Sequence, residues 1–316
     1  MHRTASPADT AARPAADSPT GVPADAPAAT GGRSREQEPL PPVALVATDL
    51  DGTLLRSDAT VSPRTLGTLR RLTGRGVHHV VVTGRPASGC RPFFDALGYR
   101  GLAVCGQGAQ VYDAGRGALL SSAGLDHGAA LAVLERITAL TGPLDLAVVT
   151  SGLHGEFVVT PGFADGDERA LAPFRSAPAE RLWDLPVDKV LIRHPSLSDG
   201  DLVAAAARCC TPGLTVTHAG PRMVELLPTG FDKATGLARV AGALGVAREA
   251  VIAFGDMPND LPMLAWAGYA VAMGNGHPEL KAVADEVAPH HDEDGVAAVL
   301  DRILDTGVLP ARAAAR

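Results

Sequence analysis

One apolar run constrains this chain most: Val43 to Leu55 reads V-A-L-V-A-T-D-L-D-G-T-L-L and carries two aspartates, Asp49 and Asp51, two positions apart. Short aliphatic and β-branched runs that end at a glycine turn are typical of central strands in a parallel sheet. Ligands of open α/β sheets bind beyond the carboxyl ends of such strands. Residues i and i+2 of an extended chain face the same side, so a divalent cation could offset the repulsion between the two carboxylates. The run therefore predicts a buried strand that delivers Asp49 and Asp51 to a catalytic or metal site.

Two other interpretations of the same run stay open at this point. An Asp-Gly turn that merely ends a strand accounts for Asp51 and Gly52, but it leaves Asp49 almost unpaired near a core. A calcium-binding EF-hand loop also contains D-x-D-G, but here no Glu follows at the required spacing and a strand replaces the entering helix.

Composition limits the class of protein. The chain has 316 residues, 46% of them hydrophobic, and a mean hydropathy of +0.11, which is enough for two domains with sizeable cores. A net charge of -7 argues against a nucleic-acid partner. The four cysteines form no ligand spacing and are interpreted as reduced thiols. Since neither a secretory signal nor an apolar run of membrane-spanning length is found, we expect a cytoplasmic protein with no membrane partner.

The sequence predicts a core that is interrupted by an insertion. Residues 1–41 are rich in Ala and Pro and are expected to be a disordered tail. Residues 42–120 alternate strands and helices, and the strand Val77 to Val82 ends in T-G-R, so we predict a doubly wound parallel sheet.

The pattern changes over residues 121–220, where strands and helices mix without acidic strand ends, which indicates an inserted α+β cap domain. The sheet pattern resumes over residues 221–307, and residues 308–316 form a C-terminal tail. In this second half of the core, Lys233 opens a helix, and the strand Ala250 to Phe254 ends in G-D-M-P-N-D.

Four motifs occur in one order at the ends of successive core elements: D-L-D-G-T-L-L, T-G-R, a lone Lys at a helix start, and G-D-M-P-N-D-L-P-M-L. On these motifs the chain resembles the haloacid dehalogenase superfamily, most closely its Cof-type branch (subclass IIB, with a C2-type cap). The resemblance extends from about Val43 to Leu304. It implies an α/β fold, with a doubly wound parallel sheet of the family's Rossmannoid type and an α+β cap inserted after the third strand.

The resemblance also implies a set of acids around Mg²⁺. Asp49 would be the nucleophile that attacks phosphorus and a metal ligand. Asp51 would transfer the proton and would contribute its backbone carbonyl to the metal. Asp256 would complete the protein ligands, and Asn259 and Asp260 would support the metal shell. Mg²⁺ is typically bound by one or two carboxylates together with phosphate oxygens and water.

The remaining implied roles concern the phosphoryl group. Thr83 would donate a hydrogen bond to it, with Gly84 and Arg85 in the same phosphate-binding loop. Lys233 would neutralise the phosphoryl group and the nucleophile, and Asn259 would position Lys233. Phosphoryl transfer depends on positioning and charge neutralisation, which this set of residues supplies.

Lysine is rare in this chain, which makes each of the three worth weighing. Only three of the 28 basic residues are lysines: Lys189, Lys233 and Lys281. A compact ammonium acts as a point charge, which favours a functional Lys233. Lys189 opens a strand of the cap and is a candidate substrate contact, whereas Lys281 is interpreted as a solvent-facing charge. The chain departs from the family pattern at Gln107, where Asn is usual.

These observations predict a Mg²⁺-dependent hydrolase that removes phosphate from small phosphorylated metabolites, such as sugar phosphates or flavin mononucleotide, through an aspartyl phosphate. Two alternatives remain: a phosphomutase or phosphotransferase on the same fold, and a non-catalytic sensor of phosphometabolites. The sequence leaves the substrate and the oligomeric state open.

Overall fold

We describe the protein from a computed structural model. The structure describes residues 43–164, 174–218, 222 and 224–306. Both predicted tails, residues 1–41 and 308–316, lie outside the described residues. Within the described residues, no helix is both long and apolar enough to cross a membrane.

Strands and helices alternate along most of the described chain. The strands are β1 (Leu45–Thr48), β2 (His78–Val82), β3 (Leu102–Cys105), β4 (Gln110–Asp113), β5 (Ala118–Ser122), β6 (Asp145–Thr150), β7 (Phe157–Val159), β8 (Phe174–Ser176), β9 (Val187–Arg193), β10 (Leu214–His218), β11 (Val224–Pro228), β12 (Val251–Gly255), β13 (Tyr269–Ala272) and β14 (Glu286–Val287). The helices are α1 (Pro63–Gly74), α2 (Ala87–Leu97), α3 (His127–Thr141), α4 (Pro161–Ala164), α5 (Asp199–Cys209), α6 (Lys233–Ala243), α7 (Leu261–Trp266), α8 (Pro278–Val283) and α9 (Gly295–Thr306).

Among the described residues, the core sheet has eight strands in the order β14-β13-β12-β1-β2-β3-β4-β5. The strands from β14 to β3 run parallel, whereas β4 and β5 pair antiparallel at one edge. Helices α1, α2 and α9 pack on one face, and α6, α7 and α8 pack on the other. In β1, Val46 packs with the first layer, while Leu45 and Ala47 pack with the second. The predicted doubly wound α/β fold is therefore confirmed.

The second sheet is inserted between β5 and α6, and its described part has six strands in the order β10-β11-β9-β6-β7-β8. Its pairs are antiparallel except for β7 and β8. Helices α3 and α5 cover one face with a separate apolar core. This is an α+β cap, as the sequence predicted.

The boundaries of the cap differ from those predicted at residues 121 and 220. Strand β5 still belongs to the core sheet and ends at Ser122. Strand β11 lies in the segment predicted to belong to the core, but it pairs with β9 and β10 of the cap sheet. The reason is that the run V-E-L-L-P suits a buried strand of either sheet, and only its pairing partners distinguish them.

Candidate active site

The site begins where β1 delivers its acids to the carboxyl edge of the core sheet. The Asp49 backbone N–H donates to the Phe254 carbonyl oxygen on the neighbouring strand at 3.0 Å. The chain then turns sharply at Gly52, which has a φ of +74°. A Cβ atom at Gly52 would lie 2.3 Å from Oδ2 of Asp256. Glycine is thus required here both for the backbone conformation and for the close approach of the turn to Asp256.

Helix α6 places Lys233 next to the first aspartate. Asp232 caps the helix by accepting a hydrogen bond from the Thr235 N–H, and the Thr235 hydroxyl oxygen accepts from the Asp232 N–H in return. Lys233 is only 1% exposed. Its Nζ donates to Oδ1 of Asp49 at 2.8 Å and to Oδ1 of Asp260 at 2.6 Å. Residues that are far apart in the chain therefore meet at one ammonium group.

Three buried carboxylates lie close together at this point, and two of them, Asp49 and Asp260, contact the ammonium. Ligand oxygens of Asp49, Asp256 and Asp260 all lie within 4.8 Å of one another. The Oδ2 atom of Asp260 accepts from the backbone N–H groups of Asp256 and Met257, each at 3.0 Å. Oδ1 of Asp256 accepts from the Thr53 hydroxyl at 2.9 Å. Asp260 is thus held by Lys233 and by the backbone, which suits a supporting residue.

The electrostatics of this cluster favour a bound cation. Burial and the charge of Asp260 raise the pKa of Asp256 to about 6. Burial also raises the pKa of Asp49 well above its usual range, although Lys233 opposes this effect. Burial alone would lower the pKa of Lys233, but the Asp260 and Asp49 carboxylates raise it above its usual range. One ammonium does not neutralise three carboxylates, so the cluster suits a hard divalent cation held by Asp49 and Asp256.

The second aspartate points to a different partner. Arg85 forms a bidentate pair with Asp51, with Nε donating to Oδ2 at 2.6 Å and Nη2 to Oδ1 at 2.7 Å. The Arg85 guanidinium also lies over the Phe93 ring, 4.8 Å from its centroid. The Asp51 side chain is half exposed, unlike that of Asp49. The sequence predicted both residues in the site but not this pair.

The loop after β2 carries Thr83, Gly84 and Arg85, next to β1 in the sheet. Thr83 is 1% exposed, and its Oγ1 accepts from the Arg85 backbone N–H at 3.1 Å. The Thr83 carbonyl oxygen accepts from the Gln107 N–H at 3.2 Å. The loop that carries the Thr83 hydroxyl is therefore held by hydrogen bonds to Arg85 and to Gln107.

The last predicted site residue, Asn259, connects to Gln107. Nδ2 of Asn259 donates to Oε1 of Gln107 at 3.1 Å. Oδ1 of Asn259 is buried and has no hydrogen-bond partner within the described part of the chain. Gln107 has a φ of 57°, a conformation that Asn adopts more readily than Gln.

Two of the three lysines differ from the sequence-based interpretation. Lys189, the candidate substrate contact, is buried and pairs with Glu225 of the cap. Lys281, interpreted as a solvent-facing charge, donates from Nζ to the Gly274 carbonyl oxygen at 2.6 Å. Sequence reasoning missed Glu225. The only related signal was the rarity of lysine, which drew attention to its partner Lys189.

Comparisons with known proteins identify the family of this chain. A family model described as haloacid dehalogenase-like hydrolase matches residues 46–300. A 5-amino-6-(5-phospho-D-ribitylamino)uracil phosphatase of Bacillus subtilis is 32% identical over 270 residues, which cover 81% of this chain and 96% of the relative. An HMP-PP phosphatase of Serratia proteamaculans is 29% identical, and the match covers 82% of this chain and 95% of the relative.

The solved structures give the same result. A haloacid dehalogenase-like hydrolase from Bacteroides thetaiotaomicron superposes with a TM-score of 0.68 at 30% identity, covering 83% of this chain and 99% of that one. The resemblance inferred from the motifs is thus confirmed over most of the chain. The chain belongs to the haloacid dehalogenase-like hydrolases.

Proposed function

We propose that this protein is a phosphatase, a phosphoric monoester hydrolase that acts on small phosphorylated metabolites through an aspartyl phosphate on Asp49. One observation carries the proposal: Lys233 Nζ lies 2.8 Å from Asp49 and 2.6 Å from Asp260, within a buried cluster of acids. A buried carboxylate beside a fixed cation can attack an anionic phosphoryl group, because the cation offsets the repulsion between them.

The first step forms a bond between an Asp49 carboxylate oxygen and phosphorus and breaks the bond from phosphorus to the ester oxygen. The leaving oxygen takes a proton from Asp51. Arg85 donates one hydrogen bond to each oxygen of Asp51, which orients the carboxyl group and leaves a second lone pair on each oxygen for the proton. Thr83 and Lys233 hold the phosphoryl oxygens while the bonds change.

In the second step, water attacks the phosphorus of the aspartyl phosphate and gives a proton to Asp51. Inorganic phosphate leaves, and the Asp49 carboxylate is restored. The half-exposed Asp51 side chain is accessible to solvent water, which suits it to this role better than the buried Asp49. Gly84 and Arg85, in the loop with Thr83, and Asn259, after β12, would also bind the phosphate.

The donor set also fits Mg²⁺. Asp49, Asp256 and the Asp51 backbone carbonyl would hold it, because the Asp260 carboxylate is already engaged by Lys233 and two N–H groups. When bound, the ion would neutralise the crowded carboxylates and the charge of the phosphoryl oxygens.

Relatives suggest where to look for the substrate. The two curated relatives described above act on a phosphorylated ribitylaminouracil and on HMP-PP. We therefore propose a panel that contains these two compounds, sugar phosphates and flavin mononucleotide. Release of inorganic phosphate distinguishes a hydrolase from a mutase or transferase, which would pass the phosphoryl group to another hydroxyl.

The test is phosphate release by the purified protein with Mg²⁺ and with EDTA. We expect turnover of at least one compound with Mg²⁺, and loss of turnover in EDTA and in Asp49→Asn. Asp95→Asn, at an exposed position of α2, is the matched control and should keep full activity. Full activity in EDTA, or no turnover of any phosphate ester, would contradict the proposal.

A further inference from the structure

The cap contacts the core through a buried ion pair. Lys189 of β9 and Glu225 of β11 are 3% and 1% exposed, and they form an ion pair on neighbouring strands. Lys189 Nζ also donates to the Gly84 carbonyl oxygen of the core at 2.9 Å. Glu225 Oε2 accepts from Nε2 of Gln107, another core residue, at 3.0 Å. Each member of the pair therefore binds a different core loop.

Both of these loops carry candidate site residues. Gly84 lies between Thr83 and Arg85, and the Arg85 N–H donates to the Thr83 hydroxyl oxygen. Gln107 accepts from Asn259 at 3.1 Å. A Cβ atom at Gly84 would lie 2.6 Å from Gln107 Nε2, so the two loops are in close contact. A continuous set of hydrogen bonds thus runs from the cap pair to Thr83 on one side and to Asn259 on the other.

The pair is poorly suited to either of two simpler roles. Glu225 neutralises Lys189, so the ammonium offers no net charge to an anionic substrate. A buried ion pair is also weak evidence for stability, because desolvation of two charges offsets much of their attraction. What the pair does provide is two directed hydrogen bonds from the cap to core atoms.

We propose that Lys189 and Glu225 are positioning residues for phosphoryl transfer. By fixing the Gly84 carbonyl and the Gln107 side chain, the pair holds Thr83 and Asn259 in the geometry that the reaction needs. This inference rests on the proposed phosphatase function and deepens it, because it assigns the cap a part in the chemical step in addition to any part in substrate choice.

The test is the double variant Lys189→Met/Glu225→Leu. A single substitution would leave a buried unpaired charge and would unfold some of the protein, whereas the double variant removes both charges and keeps apolar packing. The kinetic constants are measured with p-nitrophenyl phosphate and with the best large ester from the panel. Arg181→Gln is the control, since it removes a cap cation from an exposed ion pair.

We expect kcat of the folded double variant to fall by about 10- to 100-fold, the usual effect of losing groups that orient a reactive site. The fall should be similar for both esters, because the pair acts on the phosphoryl-binding loops that both esters use. The control should keep the kcat of the unaltered protein.

Gln107→Met provides a second test that leaves the ion pair in place. It removes the amide between Glu225 and Asn259 while keeping a side chain of similar length, and kcat should again fall for both esters. An unchanged kcat in a folded double variant or in Gln107→Met would overturn the inference, as would a fall confined to the large ester, which would indicate substrate recognition. Absence of turnover by the unaltered protein would instead contradict the proposed function itself.

Discussion

Because the buried carboxylates are crowded, ionised Asp256 should lower the free energy of unfolding of the metal-free protein. The pKa of Asp256 is raised from 3.8 to about 6 by burial and by Asp260. Well below pH 3.8 the carboxyl is neutral in the folded and unfolded states alike, and between pH 3.8 and about pH 6 it is mostly ionised only in the unfolded chain. As the pH rises through this interval, the unfolded chain releases its proton first, so the free energy of unfolding falls with rising pH.

The size of this effect follows from the pKa difference. At about 1.4 kcal/mol per pKa unit, the loss is roughly 1.6 kcal/mol at pH 5 and about 3 kcal/mol at pH 7.5. Asp256→Asn keeps the shape of the side chain and an oxygen that can accept the Thr53 hydrogen bond. In EDTA at pH 7.5 the variant should therefore be more stable than the unaltered protein by about 3 kcal/mol, and by roughly half of that at pH 5.

Thermal and urea unfolding in EDTA at both pH values measure this difference. The melting temperature of Asp256→Asn should rise by about 6–12 °C at pH 7.5, from roughly 2–4 °C per kcal/mol. Mg²⁺ should stabilise the unaltered protein more at pH 7.5 than at pH 5 and should have little effect on the variant. Asp95→Asn should behave like the unaltered protein. If Asp256→Asn were less stable in EDTA at pH 7.5, Asp256 would not be a crowded, ionised ligand.

Three further predictions concern the proton transfer, the cap and the start of α6. Asp51→Asn should slow the first step by about 10²–10⁴-fold with an alkyl phosphate, but little with p-nitrophenyl phosphate, whose phenolate leaves unaided; equal slowing in rapid-quench experiments would contradict this. A chimera with residues 123–228 from a relative should adopt that relative's order of substrate preference on the panel, and an unchanged order would contradict a role of the cap in specificity. Gly108→Ala should lower the melting temperature and kcat together, because at its φ of +98° a Cβ atom would lie 1.9 Å from the Asp232 carbonyl oxygen, next to Lys233. Its control, Gly67→Ala in α1, has open space around the new methyl group and should raise stability by roughly 0.5–1 kcal/mol.

The elements that carry the core acids could be predicted because their signals are local. The apolar runs of β1 and β12 end directly at Asp49 and Asp256, so each strand and its acid can be inferred from a few consecutive residues. Lys233 was predicted because a lone lysine begins a helix, and the structure places it between Asp49 and Asp260.

What could not be predicted depends on pairing between distant segments. Gln107 and Glu225 are 118 positions apart, and nothing near either residue in the sequence indicates that their side chains meet. Likewise, nothing near Arg85 in the sequence indicates that its guanidinium binds Asp51, 34 positions earlier. The end of the cap was misplaced for the same reason, since β11 is assigned to its sheet only by its partners β9 and β10.

The central claim is that Asp49 becomes phosphorylated during turnover. The most direct measurement is rapid acid quench of Asp51→Asn with p-nitrophenyl phosphate and Mg²⁺, followed by mass spectrometry of the peptides. We expect a burst of one equivalent of nitrophenolate and a phosphoryl group on the peptide that contains Asp49. Both should be absent in the double variant Asp49→Asn/Asp51→Asn. Steady release of inorganic phosphate without a phosphorylated peptide, or a phosphoryl group on a different residue, would contradict the account.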